Sequence, residues 1–269
     1  VRVAGGNCNG TLPCDDAVEL DPMVKALVTD PVSAYVQGLA DNIIGSSDYD
    51  LDGRRSSVRA IEANEGNLIA DSLFWQATQL AADFGVTPPD VALQNGGGIR
   101  NDNIIPAGPI SQLDTFSMVP FANFVSILEN IPRPQFKEIM ENALSRTQPG
   151  DIPGGTGRFA QISGFTMTWS GSGTAQELDA DGHVTVPGTR VQDIVLNDGT
   201  IVVTGGAVVP GPDLTVATID FLAKGGDEYP FRDAPFVTLG VTYQQALANY
   251  IVNGLGGVID GPDYVFGVN

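Results

Sequence analysis

Four short stretches carry the side chains with chemistry to offer. They are Arg55 and Arg59, Asn95-Gly96-Gly97-Gly98-Ile99-Arg100, Phe121-Ala122-Asn123, and Phe221 with Gly225-Gly226-Asp227. Together they have the makings of a nucleotide site. Guanidinium forks take phosphate oxygens in bidentate, charge-assisted bonds. Two phenylalanines sandwich a base, worth ~1–3 kcal/mol per stacked base. A carboxylate on a tight Gly-Gly turn accepts from both hydroxyls of a ribose, and an asparagine amide reads a base edge. Each residue also has a plainer use. Phenylalanine is ordinarily core, Arg55 follows Arg54 in a linker, and an aspartate on a turn caps its own backbone. Arg59, in an otherwise apolar segment, is harder to dismiss, because a buried guanidinium needs an anionic partner. The glycine run is not a phosphate loop: it matches neither G-x-x-x-x-G-K-[ST] nor a G-x-G-x-x-G that opens a helix.

These groups need elements to hold them. Asp90 to Leu93, introduced by Pro88-Pro89, predicts a buried strand that delivers the three glycines at its end. Without Cβ atoms that turn is free to take positive φ and to let a ligand approach its amides. Val58 to Glu62 reads as a short strand running into a helix capped near Asn64, with Leu68, Ile69, Leu73, Trp75, Ala77 and Leu80 inward. A short helix starts at Ser111, a strand spans Val119 to Glu129, and a helix spans Pro134 to Leu144. From Phe159 to Val209 short strands and turns take over, at 165–169, 190–196 and 201–204, the last two joined through Asn197-Asp198-Gly199. Leu214 to Phe221 is a further strand leading into the second glycine turn, and a last helix runs from Tyr243 to Asn253. Interspersed strands and helices with many hairpin signals specify an α+β class. Ahead of them, Pro22 to Ile44 has the spacing of an amphipathic helix interrupted near Pro31, and Ser46 to Gly53 reads as an acidic linker.

Thirteen Lys and Arg stand against thirty-two Asp and Glu, a net charge of −19, which argues against a nucleic-acid polymer as partner. Salt screens that field over roughly 8–10 Å, so a few converging arginines still hold a phosphate. Cys8 and Cys14 lie close enough for a small disulfide loop, which points to an exported protein. A metal pair there is disfavoured, because the single histidine, His183, reads as a surface turn residue. No apolar run approaches the ~18–20 residues of a membrane span.

Spacing alone does not bring the four stretches together, but their order resembles the C-terminal domain of the 5'-nucleotidase family, the secreted or periplasmic nucleotidases and UDP-sugar hydrolases. The motifs that carry the resemblance are Val58-Arg59 with Asn64-Glu65-Gly66-Asn67-Leu68-Ile69-Ala70-Asp71, Asn95 to Arg100, Pro120-Phe121-Ala122-Asn123, and Gly225-Gly226-Asp227-Glu228-Tyr229, over about Arg55 to Asn253. It implies a layered α/β/β/α fold preceded by an interdomain linker helix. Residues 1–54 would then be a disulfide loop, linker helix and hinge at the end of an N-terminal metallophosphatase domain lying outside this chain. Residues 55–269 would be the nucleotide-binding domain. The resemblance further implies that Arg59 and Arg100 bind phosphate, with Arg55 a third, and that Phe121 and Phe221 stack on the base. Asn95 or Asn123 would contact the base edge with backbone help from Gly97 and Gly98, Asp227 would bind the ribose, and Gly154 or Gly155 would touch the base.

The expected ligand is an adenosine- or AMP-like nucleoside or nucleotide, and the expected partner is the chain's own metallophosphatase domain. That domain would hold two divalent ions and perform the hydrolysis. No catalytic residue and no cofactor is expected in this chain, because one histidine cannot supply the several ligands that hold two ions about 3.5–4 Å apart. Rotation about residues 40–55 would carry the phosphate to the metals. Glu228 stands where the family commonly has glycine, as does Ala122. A stand-alone nucleotide-binding module and a surface interaction domain without catalysis are the competing readings.

Overall fold

The computed structural model describes residues 20–147 and 156–265, and the backbone of two short segments, Arg2–Val3 and Ala17–Val18. Cys8, Cys14, Gly154 and Gly155 lie outside the described residues. Asp21 caps the first helical turn, its Oδ1 accepting from the N–H groups of Met23 and Val24. The run continues from Pro22–Val24 through a π-helical turn, Lys25–Thr29, into α1 (Asp30–Asp41). Pro31 therefore stands in the first turn of α1, where a missing N–H is tolerated, and the irregularity precedes it. No residue of this run is buried.

The packed body begins at β1 (Ile43–Ser47), followed by α2 (Arg55–Val58), α3 (Asn64–Leu80), β2 (Val91–Asn95) and β3 (Gly108–Ser111). Then come α4 (Gln112–Met118), β4 (Phe124–Ile131), α5 (Arg133–Leu144), β5 (Ala160–Ser163) and β6 (Phe165–Trp169). The chain closes with β7 (Val191–Leu196), β8 (Ile201–Thr204), β9 (Leu214–Ile219), α6 (Asp220–Ala223), β10 (Phe236–Thr242), α7 (Tyr243–Asn249) and β11 (Val258–Ile259).

Five strands form the sheet that carries the site, in the order β10-β4-β9-β2-β5, with β9 and β2 the parallel pair. Every residue of β2 and β9 is buried, so neither strand alternates between a core face and a solvent face. The inward residues of α3, Leu68, Ile69, Leu73 and Ala77, are fully buried. Gly66 lets α3 close on the sheet, since a Cβ there would strike the Gln161 side chain of β5. A second, antiparallel sheet contains β6, β7 and β8, joined at the Asn197-Asp198-Gly199 turn, where Gly199 takes φ +88°. Helix α5 seals against it through an edge-on contact of Phe136 with Phe165, ring centroids 5.4 Å apart. The Glu141 carboxylate on the same helix accepts from the backbone N–H groups of Arg190 and Val191.

The α+β class is as expected, and three local readings are corrected. Val58 to Glu62 is not a strand: α2 ends at Val58 and Arg59 sits in the turn after it. Gln161 Nε2 holds that turn, donating to the carbonyls of Val58 and Ile61 at 3.0 and 2.8 Å. Residues 43–53, much of the expected linker, are packed: β1 pairs with β3 and β11, and Leu51, Asp52 and Gly53 are buried. The boundary between helix and body thus falls near Asn42 rather than at Arg54. Phe221, assigned to the end of a strand, lies in the first turn of α6.

Candidate functional site

The four stretches meet at the C-terminal end of β2. A cleft of about 540 Å³ opens there, walled by Arg59 after α2, Asn95, Gly97, Gly98 and Arg100 after β2, and Phe121, Ala122 and Asn123 before β4. Phe221 of α6, Asp227 and Gly157 complete it. Arg55 is not on its wall; it sits exposed at the start of α2, with its backbone N–H donating to Asp102 Oδ1 at 2.8 Å.

None of the three consecutive glycines uses its freedom to take positive φ. Each is there because something lies against it. A Cβ at Gly96 would strike the Val58 carbonyl, and one at Gly98 would strike the Gln94 side chain. At Gly97 it would crowd Gly157 Cα at 3.1 Å. The Gly97 N–H is already spent on Gly157 O (2.7 Å), and the Gly98 carbonyl accepts from Tyr243 Oη at 3.3 Å. Tyr243 Oη also accepts from the N–H of Phe121 at 3.0 Å, so one buried phenol ties the glycine turn to the loop bearing the aromatic ring. Burial pushes its hydroxyl well above the usual tyrosine range, which keeps it a donor. The sequence reading passed over Tyr243, Gln94 and Gly157. For Tyr243 the sole signal was its place at a helix start.

The left-handed backbone falls elsewhere. Gly225 (φ +86°), Asp227 (φ +52°) and Glu228 (φ +59°) turn the chain sharply through backbone conformations that suit glycine best. Here Arg158 and Arg146 hold Glu228 at 2.8 and 3.4 Å. Asp227 projects into the cleft, where its Oδ2 accepts from Asn95 Nδ2 at 2.5 Å.

Electrostatically the cleft is a positive spot on an acidic molecule. Arg59 is only 7% exposed, and its Nε has no hydrogen-bond partner among the described residues. Burial lowers its pKa, the charges of Arg55 and Arg100 lower it further, and Asp227 and Asp102 oppose them. The Arg100 guanidinium lies 5.2 Å above the Phe121 ring. Phe121 and Phe221 stay 44% and 42% exposed, unlike the fully buried Phe136 and Phe231. Among the described residues Asp227 is the sole carboxylate on the cleft wall, and no histidine is there. Among the described residues the one group of three potential metal ligands is Asp179, Asp181 and His183, all exposed on a surface turn away from that wall. Asp179 Oδ1 caps that turn, accepting from the N–H groups of Asp181 and His183. No helix of the described residues is long and apolar enough to cross a membrane.

A family model described as "5'-nucleotidase, C-terminal domain" matches residues 43–233. The chain is 30% identical over 220 residues to the trifunctional nucleotide phosphoesterase protein YfkN of Bacillus subtilis, covering 81% of this chain and 13% of that one. It is 29% identical over 210 residues to protein UshA of Escherichia coli, covering 77% and 30%. The crystal structure of a 5'-nucleotidase precursor from Thermus thermophilus aligns with a TM-score of 0.65 and 26% identity, over 90% of this chain and 43% of that one. The chain therefore spans less than half the length of each of these three relatives.

Proposed function

The chain belongs to the 5'-nucleotidase C-terminal domain family, and from that premise we propose that its cleft receives a nucleoside or its 5'-phosphate, as the recognition half of a phosphohydrolase. One observation carries the reading. A nearly buried guanidinium with an unspent donor, Arg59, faces a cleft that also presents two half-exposed phenylalanines. An unpartnered buried cation is costly until an anion arrives, and the exposed rings are apolar faces for a base to cover. The base lies between Phe121 and Phe221, with Asn123 at its edge and the ribose at Asp227. The phosphate reaches Arg59 and Arg100, and Arg55 adds charge from the rim. An adenosine- or AMP-like molecule fits this order of groups.

Relatives named as phosphoesterases and 5'-nucleotidases make the full-length family hydrolytic. The cleft itself does not fit a two-metal centre, since one carboxylate without histidine cannot bridge and flank two ions. We assign the hydrolysis to two divalent ions in a metallophosphatase domain outside this chain, in an exported enzyme, with residues up to Asn42 as the connection between the two parts.

Isothermal titration tests the binding half of the proposal. AMP and adenosine should bind the purified chain with micromolar to millimolar affinity. Phe121→Ala and Phe221→Ala should each weaken both ligands by about tenfold, the loss of one stacked face. Unchanged affinity in both variants, or no heat with the wild type, contradicts it, and so does metal-dependent release of phosphate from AMP by this chain alone.

A further inference from the structure

A line of buried polar groups runs from the core of the five-stranded sheet to the cleft. Gln94, fully buried in β2, donates from Nε2 to Asn95 Oδ1 at 2.8 Å and to the Asn95 carbonyl at 3.0 Å. Asn95, almost as buried, donates from Nδ2 to Asp227 Oδ2 at 2.5 Å. Chemistry fixes the direction of every amide in this line. A carboxylate accepts only, so the Asn95 NH2 must face Asp227 and its oxygen must face Gln94. A backbone carbonyl also accepts only, so the Gln94 NH2 must be the end that meets Asn95. Nothing along the line can flip without setting acceptor against acceptor. Gly98 leaves room for the Gln94 amide, which a Cβ at that position would strike.

Resting on the nucleoside reading above, we propose that Asn95 and Gln94 are positioning residues for the Asp227 carboxylate rather than readers of the base. Asn95 spends one end of its amide on Asp227 and the other on Gln94, so both ends are engaged within the protein. The line holds Asp227, which stands on left-handed backbone at φ +52°, in one rotamer, with Oδ1 left to accept from the ribose hydroxyls. The glycine run, Gln94 and the ribose carboxylate are thereby one device. Gly98 admits the glutamine, the glutamine orients the asparagine, and the asparagine aims the aspartate.

The test is a pair of titrations on the full chain, with adenosine and with 2',3'-dideoxyadenosine, which lacks the hydroxyls. Gln94→Met keeps the volume and removes the donor; Asn95→Ala removes the link, and Asp227→Ala removes the end of the line. Each should cost roughly fivefold to tenfold in adenosine affinity, the worth of one buried hydrogen bond, and less than about twofold with the dideoxynucleoside. The double variant Gln94→Met/Asp227→Ala should bind no worse than Asp227→Ala, because the two share one path. Retained binding of the dideoxynucleoside shows that each variant is folded. If Asn95→Ala weakens both ligands equally, or adds to Asp227→Ala, Asn95 contacts the base and the proposal is wrong. If the wild type binds the two nucleosides equally well, Asp227 does not hold the ribose and the line has no such role. If the wild type binds neither, the nucleoside reading itself fails, a result distinct from the other two.

Discussion

Burial lowers the pKa of Arg59, the like charges of Arg55 and Arg100 lower it further, and Asp227 and Asp102 oppose them. On the proposed reading, a phosphate entering the cleft would relieve that repulsion and take up the idle Nε. Arg59→Ala should therefore weaken AMP by about ten- to a hundredfold, from a charge-assisted hydrogen bond of ~1.5–3 kcal/mol. Adenosine, which has no phosphate, should change by less than about twofold. Equal losses for the two ligands in titration would place Arg59 in the scaffold instead. At this scale the sequence was most legible, because residue types announce their chemistry. Direction was hidden. Nothing in Asn95-Gly96-Gly97-Gly98 says that the asparagine faces Asp227, or that the glycines are there for close packing rather than for positive φ. Those facts depend on Val58, Gln94 and Gly157, which meet the turn only in the fold.

At the level of elements, the first turn of α3 carries a carboxyl group whose charge the fold does not accommodate. Glu65 is fully buried; its Oε2 accepts from Asn101 Nδ2 at 2.9 Å, while Glu65 Oε1 and Asn101 Oδ1 have no partners among the described residues. A Cβ on Gly53 would strike both orphaned oxygens, so they border the same small space. One proton on Glu65 supplies the missing donor and makes an acid–amide pair. Burial pushes this carboxyl up to about 8, with Asp52 adding to the effect and the Asn101 bond opposing it. The folded state thus holds a proton that the unfolded chain has released. The stabilisation is complete below the ordinary carboxylate value of 4.5 and is lost as pH rises towards 8. Stability should fall by up to ~1.4 kcal/mol per pH unit across that window. Glu65→Gln, an amide in place of the acid, should flatten most of the slope in urea melts at pH 5, 6.5 and 8. Asp71, also raised by burial, leaves a residual dependence of the same sign. An unaltered slope in the variant would assign the effect to other groups. Elements with a clear period or a continuous apolar run, such as α3, α5, β2 and β7, could be read from the sequence almost to their ends. The turn at Arg59 could not, because Gln161, some hundred positions later, holds it with two hydrogen bonds.

For the molecule as a whole, what the sequence obscured most was where the packed body begins. The stretch from Ser46 to Gly53 is polar and acidic, which suits a linker, yet β1 is the middle strand of a three-stranded sheet with β3 and β11. The partners of β1 lie far along the chain, at 108–111 and 258–259, so no local pattern marks it. The helical run before it buries nothing. Removing residues 1–41 should therefore shift the melting temperature of the body by no more than a few degrees. Removing residues 1–54, which strips out β1 and the fully buried Leu51, should lower it by ten degrees or more, or prevent folding, since a lost core leucine alone costs about 2–5 kcal/mol. Similar melts for the two truncations would return the boundary to Arg54. Whatever the boundary, the proposed function requires that residues from four separated stretches receive one nucleotide in one cleft. A crystal structure of the chain with AMP bound would show whether they do. The base should lie between Phe121 and Phe221, the ribose hydroxyls against Asp227, and the phosphate on Arg59 and Arg100. AMP seated anywhere else, with those rings and that carboxylate untouched, would contradict the account.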